Sequence, residues 1–487
     1  MTDSIPPTAK PPRRRRYLLR GLVTLLLGVG ALLIVLQVLA SRAETAFRAK
    51  VQAIRDAGEP FSVAEVCDFG GVPDDANAVI PLRQAATLVP DVDMEIWRKV
   101  EDLPFVVPLT DAERAYARLS AGPIEQVEAL IREAMTRPSA HWKLKITGRM
   151  IDAAYPDLNA QRALAQAIDY SILLATDRGD YAAALDRIPL LFAIERAMQT
   201  HPSVVGYLVS SGIESMALAR LEDLSARMKI GHAINAVPAE KVRQTIRLLD
   251  DDPGEWVALQ QAFRGDRAQF IKICQMLAQG ELPDGSEPGL QGRVNLFLSR
   301  PQLWDGCRVA VDTYAKFAVA MTAANWPACQ AMLPDQKKFA GQRNAVLKML
   351  SVTMPSHVRV GRFPYQNQSW RRLARVGLAV HLYVADHSGR WPESLDDLVP
   401  KYVAEIPLDT LAAGGAHVRF VPGERPLIYS VGEDGIDGGG ADRLVTGGGI
   451  IQGVGIQPGK VSGDLLFRLS PQPRPEVEPD DIDDANE

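Results

Sequence analysis

The feature that most constrains this chain is an uncharged run, GLVTLLLGVGALLIVLQVLAS, which extends from Gly21 to Ser41. About 20 helical residues cross a hydrocarbon core of about 30 Å, whereas the apolar part of a cleavable signal peptide has about 7 to 15 residues. The length of the run therefore predicts a transmembrane signal anchor over residues 17–41. Cleavage after Ala40 or Ala43, where small residues occupy suitable positions, is the alternative.

The charges on either side of this run predict its orientation. Lys and Arg are more numerous before the run than just after it, and such an excess marks the cytoplasmic side of a membrane helix. We therefore expect a basic cytoplasmic tail at residues 1–16 and an extracytoplasmic body from residue 42, at the cell inner membrane. Arg14-Arg15 also resembles a twin-arginine export signal, a match that consecutive arginines produce by chance. The flanking cations are Lys10, Arg13, Arg14, Arg15, Arg16 and Arg20 before the run, and Arg42, Arg48, Lys50 and Arg55 after it.

The charge balance argues against a nucleic-acid partner. The chain has 54 Lys and Arg against 59 Asp and Glu, a net charge of −5, whereas duplex binding usually needs a strong basic excess. A nucleotide site is not expected either. Gly459-Lys460 resembles the end of a phosphate-binding loop, but Val454 and Val461 replace the glycine and the hydroxyl residue that such a loop needs. The partners that the sequence predicts are the membrane and other envelope proteins.

Common catalytic motifs do not occur in the sequence. The words G-x-S-x-G and H-E-x-x-H are missing, and none of the seven histidines has another histidine four residues later. We therefore predict no catalytic and no cofactor-binding residue. The alternative is an extracytoplasmic hydrolase of envelope polymers whose site is assembled from distant residues. Cys307 and Cys329 could be joined in an oxidising compartment or remain buried thiols, and their spacing does not decide between these states.

Apolar residues recur at helical spacing through residues 42–360, which predicts an irregular α-helical domain and a mainly α fold. The pattern is strongest between Asn159 and Met228, where turns at Gly179-Asp180 and His201-Pro202 divide three stripes. The first of these turns resembles that of a tetratricopeptide repeat, but no second copy follows at the period of about 34 residues. Capping boxes predict helix starts at 62–65 and 110–113. Further helices are expected at 239–249, 255–263, 267–278 and 304–324.

The segment from about residue 371 to 445 contains several short motifs in a fixed order. A helix that ends near Asp386 leads to GRWP at 389–392, LDDL at 395–398, PLD at 407–409 and YSVGEDG at 429–435. In these motifs and their order the segment resembles the major pseudopilin of type II secretion systems. The resemblance implies a small α+β domain over residues 365–469. The rest of the chain is similar to bacterial signal-anchored envelope proteins.

This resemblance also implies a metal site. In the pseudopilin family a glycine-rich loop binds calcium, because hard cations take oxygen ligands and glycine lets backbone carbonyls converge on the ion. Asp434 and Asp442 match the acidic positions of that loop, and Asp437 lies between them. The resemblance therefore implies structural Ca²⁺ bound by Asp434, Asp437 and Asp442. The alternative is a set of Asp-Gly turns whose carboxylates face solvent.

The last residues, 470–487, hold seven acids and four prolines against one arginine. Such a composition buries too little apolar surface to fold, which predicts a disordered acidic tail. The whole pattern predicts a membrane-anchored extracytoplasmic protein with a structural or protein-interaction role and no catalytic activity. Besides the envelope hydrolase, an accessory component of a type II secretion-like apparatus is an alternative.

Overall fold

A computed structural model describes residues 13–67, 71–91, 105–144, 150–233, 235–250, 254–282, 288–335, 346–348, 357–441 and 463–474. Helices dominate these residues, and three short strands near the C-terminus form one sheet. The predicted mainly α fold class is confirmed at this level. Residues 475–487 of the predicted acidic tail lie outside the described residues, whereas Arg474 is held in place by donating to Glu113 Oε1 at 2.7 Å.

The first helix, α1, runs without a break from Arg13 to Asp56. It includes a window of mean hydropathy 2.7 that is 0% buried against the rest of the chain, so it is long and apolar enough to cross a membrane. Beyond Ser41 the same helix joins the body, where Phe47 is only 1% exposed. The helix therefore continues well past the uncharged run, which ends at Ser41.

Short helices follow α1, and two of them begin at the predicted capping boxes. Thr110 Oγ1 accepts from the Glu113 backbone N–H, and the Glu113 carboxylate accepts from the Thr110 N–H. Ser62 Oγ accepts from the Glu65 N–H at 3.2 Å, whereas the Glu65 carboxylate reaches one residue further back, to the Phe61 N–H. The helices are α2 (Val63–Cys67), α3 (Val79–Leu88), α4 (Asp111–Ala121) and α5 (Ile124–Met135).

Three long helices form the centre of the body and confirm the strongest part of the sequence pattern. Gly179 turns the chain between the first two with a φ of +74°, which favours glycine, and Asp180 Oδ1 then accepts from the Ala183 N–H at 3.1 Å. Ser203 begins the third helix in the same way by accepting from the Gly206 N–H. These helices are α6 (Met150–Asp177), α7 (Tyr181–Gln199) and α8 (Val204–Arg227).

The next group of helices corrects one prediction. The prediction of separate helices at 255–263 and 267–278 is wrong, because a single helix covers both segments. Between them, Gly265 approaches Pro202 so closely that a Cβ atom would lie 1.9 Å from the Pro202 carbonyl oxygen. Glycine at this position allows the helix to pack against the chain just before α8 and does not end it. The helices are α9 (Ala239–Leu248), α10 (Gly254–Gln279), α11 (Leu290–Ala320), which begins before the predicted residue 304, and α12 (Trp326–Met332).

The C-terminal part consists of one helix and a small antiparallel sheet. Helix α13 (Phe363–Asp386) is followed by a 3₁₀ turn (Leu395–Leu398) and by strands β1 (Arg419–Val421), β2 (Leu427–Ser430) and β3 (Leu465–Arg468). The strands lie in the order β1-β2-β3. Tyr429 pairs with Arg419 on one side and with Leu466 on the other. Gly377 lets the sheet approach α13, since a Cβ atom there would lie 2.3 Å from the Phe467 ring.

One apolar core extends across the predicted boundary between residues 360 and 365. It includes Val79 near the start of the body, Ile188 and Leu218 of the central helices, Val376 of α13 and Phe467 of the sheet. Helix α13 is therefore packed on the central helices as well as on its own sheet. The domain limits themselves stay predictions.

The structure shows which cysteines are bonded, which their spacing in the sequence did not decide. Cys274 of α10 and Cys307 of α11 form a disulfide, so a bond between Cys307 and Cys329 is wrong. Cys329 is a buried thiol and Cys67 a half-buried one. Burial raises the pKa of both thiols to about 11, which disfavours the reactive thiolate.

Candidate functional site

Four ionisable side chains are buried together in the centre of the body. Glu195 of α7, Glu214 of α8, Glu255 of α10 and Arg371 of α13 are each at most 2% exposed. We call these four residues the carboxylate cluster. Burying a charge is unfavourable unless it is paired and hydrogen-bonded, and strongly perturbed groups are concentrated at functional sites. The cluster is therefore the first candidate for a functional site in this fold.

The local sequence explains why these side chains do not reach water. Helices α7 and α8 bury residues on nearly all of their faces, so a glutamate in their middle has no solvent side to occupy. A charged residue inside such an apolar stretch was the one signal that the sequence offered. Its partner was not visible, because Arg371 lies 157 positions from Glu214.

Arg371 is the cation of the carboxylate cluster. Its Nε donates to Glu214 Oε1 in a short ionic hydrogen bond, and its Nη2 lies 3.8 Å from Glu195 Oε2. The guanidinium carbon lies 4.9 Å from the centre of the Phe192 ring, a cation–π contact with α7. One side chain of α13 thus contacts both α7 and α8.

Neutral polar side chains complete the network around the carboxylates. Asn367 Nδ2 donates to Glu214 Oε2 at 2.8 Å and to Glu255 Oε1 at 3.2 Å. Tyr207 donates its hydroxyl to Glu255 Oε1 at 3.0 Å, and Ser210 Oγ donates to Glu195 Oε1 at 3.2 Å. Every carboxylate of the cluster therefore accepts at least one hydrogen bond from a neighbouring helix or from its own.

Three carboxyl groups facing one guanidinium cannot all be ionised without a large penalty. Burial, followed by the charge of Glu214, raises the pKa of Glu255 well above its usual 4.5. Burial opposes the charge of Arg371, but Glu214 and Glu195 outweigh this effect and raise its pKa. Burial and the nearby Glu255 likewise raise the pKa of Tyr207. Glu255 therefore keeps its proton under conditions in which an exposed glutamate has lost it.

A neutral acid beside a carboxylate is a pair that can do acid–base chemistry only if a substrate reaches it. The side chains of the carboxylate cluster are closed off by the helices that carry them. A surface cavity of 510 Å³ lies away from the cluster, at the turn between α10 and α11. In this conformation the cluster joins α7, α8, α10 and α13 to one another.

The predicted calcium ligands lie in the loop after β2. Asp434 Oδ1 accepts from the Ile436 N–H at 3.0 Å. Asp437 forms an ion pair with Arg419 Nε at 2.9 Å and accepts from the Tyr429 hydroxyl at 3.0 Å. The Gly439 N–H, together with the nearby Arg419, lowers the pKa of Asp437. Asp442 lies outside the described residues, so the arrangement of the three predicted ligands is not tested.

A fourth acid, which the sequence pattern did not single out, organises this loop. Asp464 accepts from the Gly438 N–H at 3.1 Å and from the Gly440 N–H at 2.7 Å. The residue comes just before β3, so its contacts with these glycines depend on the pairing of β3 with β2. Within the described ranges, no group of three or more His, Cys, Asp or Glu side chains is arranged to hold a metal ion. The calcium site stays a prediction.

Asp409, in the PLD motif of the pseudopilin-like segment, is a buried acid of the C-terminal part, only 2% exposed. It accepts from Ser430 Oγ at 2.6 Å, from the Val431 N–H at 3.1 Å and from the Leu411 N–H at 2.9 Å. Arg419 Nη1 lies 3.2 Å from Asp409 Oδ2, the oxygen that also accepts from the Val431 N–H. One carboxylate therefore fixes the loop before β1 against the end of β2, which is a structural role.

A histidine and a serine also lie in contact, as they do in many nucleophilic sites. His201 Nδ1 is 3.0 Å from Ser203 Oγ, and both residues are at most 3% exposed. Burial lowers the pKa of His201 to about 4, so the imidazole is neutral. Ser203 Oγ already caps α8 by accepting from the Gly206 N–H at 3.0 Å. The pair therefore forms a helix cap enclosed in the core.

Comparisons with protein-family models, with curated proteins and with solved structures find no match to this chain.

Proposed function

We propose that this chain is a single-pass membrane protein of the cell envelope whose extracytoplasmic body has a structural or protein-interaction role. The observation that carries this proposal is the junction between the apolar helix and the body. The membrane helix enters the body as a core element. A body fixed in this way has a set position and orientation relative to the membrane, as a scaffold requires.

The contacts at the junction support a rigid attachment. Phe47 of α1 packs on Trp304 of α11 with ring centres 5.1 Å apart, and Lys50 Nζ forms an ion pair with Asp312 Oδ1 at 2.9 Å. Val51 and Ile54, further along α1, pack against the same apolar core. Aromatic burial of this kind is worth several kcal/mol when a ring is removed, about 3 to 5. A flexible stalk has no such contacts.

The interior of the body also favours a structural role. The carboxylate cluster and Asp409 use their charges to join helices and loops. The disulfide between Cys274 and Cys307 agrees with an oxidising compartment outside the cytoplasm, where such bonds persist. These features support a braced body on the outer side of the inner membrane.

The C-terminal part is the module that we propose for contacts with other envelope proteins. A helix followed by a small antiparallel sheet is the order of elements that the resemblance to the major pseudopilin implies. The resemblance also favours structural calcium in the loop after β2, with Asp434, Asp437 and Asp442 as ligands. Partners related to a type II secretion-like apparatus belong to the same proposal.

Intact cells provide the experiment that tests this proposal. The full chain carries a photo-crosslinking amino acid at Val257 or Ile436, which are exposed, or at the buried Leu259 as the matched control. Protease added to spheroplasts reports which side of the membrane holds the body. We expect the body to be degraded from outside, and the two exposed positions to give discrete crosslinks to envelope proteins that the control does not give.

Two results would contradict the proposal. Protection of the body in spheroplasts, with degradation only after lysis, would place it in the cytoplasm. Hydrolysis of an envelope polymer by the purified full chain, abolished by a single substitution that leaves the fold intact, would favour the enzyme alternative.

A further inference from the structure

The start of helix α11 presents an apolar face that points away from the body. Leu290, Val294, Phe297 and Leu298 are between 37% and 82% exposed. Their spacing of four, seven and eight residues places all four on one side of the helix. On the opposite side Leu296 packs against the body core. The apolar face is therefore turned away from the body, where its contact with water would be unfavourable.

Two contacts fix the direction of α11 relative to the membrane helix. Trp304 is level with Phe47, and Asp312 pairs with Lys50, so residue numbers rise in the same direction along both helices. An antiparallel arrangement would separate Lys50 from Asp312 by about 16 Å along the axis, at 1.5 Å per residue, which is beyond the reach of a lysine. The two helices are parallel.

This direction sets the depth of the apolar face. Leu298 lies six residues before Trp304, and Ser41 lies six residues before Phe47, so both are about 9 Å below the aromatic contact. Ser41 is the outer end of the uncharged run. Leu298 is thus at the level of the membrane surface, and Val294 and Leu290 are about 6 and 12 Å deeper along the axis.

One face of α1 is covered by the body both just before and just after Ser41. Ala40, inside the uncharged run, is only 5% exposed, and Ala43 packs against the core that holds Phe47 and Leu296. These alanines and Phe47 follow one another at spacings of three and four residues, which is one helix face. Packing of the body therefore begins within the outermost turn of the apolar run.

Cationic side chains lie beside the apolar face. Arg300 donates from Nη2 to the Ala278 carbonyl at 3.1 Å, with its guanidinium 5.7 Å from the Phe297 ring centre. Arg293 donates from Nε to the Pro288 carbonyl at 3.1 Å. Both arginines line the 510 Å³ cavity at the α10–α11 turn. Its lining also includes Leu277, Glu281, Leu282, Leu296 and Phe297.

We infer that residues 290–298 of α11 enter the outer leaflet of the membrane beside α1, with Arg300, two residues above Leu298, near the level of the lipid headgroups. This inference rests on the proposed membrane anchor. Lipid would remove the apolar side chains of this face from water, and a long cationic side chain near the surface extends from the apolar region toward the headgroups. The body is then held to the membrane at two places, the spanning helix and this wedge.

Nitroxide labels on the full chain, reconstituted in vesicles of phosphatidylethanolamine and phosphatidylglycerol, test the inference. Cys67 and Cys329 are replaced by alanine, and one cysteine is introduced in each variant. Val294→Cys and Leu298→Cys report on the wedge, and Val35→Cys reports on the anchor. Val319→Cys is the matched control, an exposed apolar position near the far end of α11. Circular dichroism confirms that each variant is folded.

We expect oxygen, which concentrates in lipid, to relax the labels at 294, 298 and 35, and a water-soluble nickel chelate to relax only the label at 319. If the chelate reaches 294 and 298 while 35 stays shielded, the wedge is refuted and the anchor stands. If the chelate reaches 35 as well, the membrane anchor falls and the wedge with it. Spin–spin broadening at 294 and 298, with both reagents excluded, would show a second copy on this face and would also refute the inference.

Discussion

Replacing Glu255 by glutamine should stabilise the folded state relative to the native chain, by an amount that grows as the pH rises. In the folded chain burial and the charge of Glu214 raise the pKa of Glu255 well above 4.5, whereas an exposed glutamate in the unfolded chain has a pKa of about 4.3. Between these two values the folded state holds a proton that the unfolded state has released. Each pH unit in this window lowers the free energy of unfolding by about 1.4 kcal/mol. Glutamine does not titrate, and its amide oxygen still accepts from Tyr207 and Asn367.

Urea unfolding of the full chain in detergent, followed by circular dichroism from pH 4 to pH 8, measures this effect. The difference in stability between Glu255→Gln and the native chain should be smallest near pH 4 and should grow in favour of the variant by up to about 1.4 kcal/mol per pH unit. The exposed Glu125, replaced in the same way, is the control and should follow the native chain. A Glu255→Gln variant that loses stability as the pH rises, or a difference independent of pH, would refute the assignment of a protonated Glu255.

Other substitutions test the remaining contacts. Arg371→Met removes the cation from the carboxylate cluster and should lower the free energy of unfolding by about 3 to 5 kcal/mol, as seen by urea unfolding; a change below about 1 kcal/mol would contradict the pairing. Cys274→Ser opens a disulfide loop with a sequence separation of 33 and should lower the free energy of unfolding by about 3 to 4 kcal/mol, more than Cys329→Ser. Thiol labelling of the denatured native chain without reductant should count two free thiols, because the other two cysteines form the disulfide. If calcium binds the loop after β2, it raises the melting midpoint of the full chain, and Asp434→Ala abolishes the rise whereas Asp396→Ala, at an exposed turn, keeps it. An equal midpoint with calcium and with chelator would remove the metal from the proposal.

Features that depend on neighbouring residues could be predicted from the sequence. The period of 3.6 residues identified the central helices α6 to α8, and the hydroxyl and carboxylate of the Thr110–Glu113 box marked a helix start. The uncharged run likewise predicted a helix of spanning length. In each case the physical cause lies within a few residues of the effect.

Features that depend on the meeting of distant segments could not be predicted. Gly265 is explained by the Pro202 carbonyl, and Glu214 by an arginine 157 positions away. The partner of Cys307 is Cys274 in the preceding helix rather than the later Cys329. Asp464 contacts glycines 24 and 26 positions before it. Each of these residues has an ordinary local sequence, and only the packing of helices and strands shows its role.

Amide hydrogen exchange of α1 in the full chain, reconstituted in lipid nanodiscs, tests the central claim most directly. The account predicts that amides between Ala43 and Ile54, beyond the uncharged run, are protected as strongly as those of Trp304 and its neighbours in α11, because both helices belong to one core. The two segments should then exchange together when denaturant is added. Rapid exchange of residues 43–54, while α11 remains protected, would show a flexible stalk and would contradict the account.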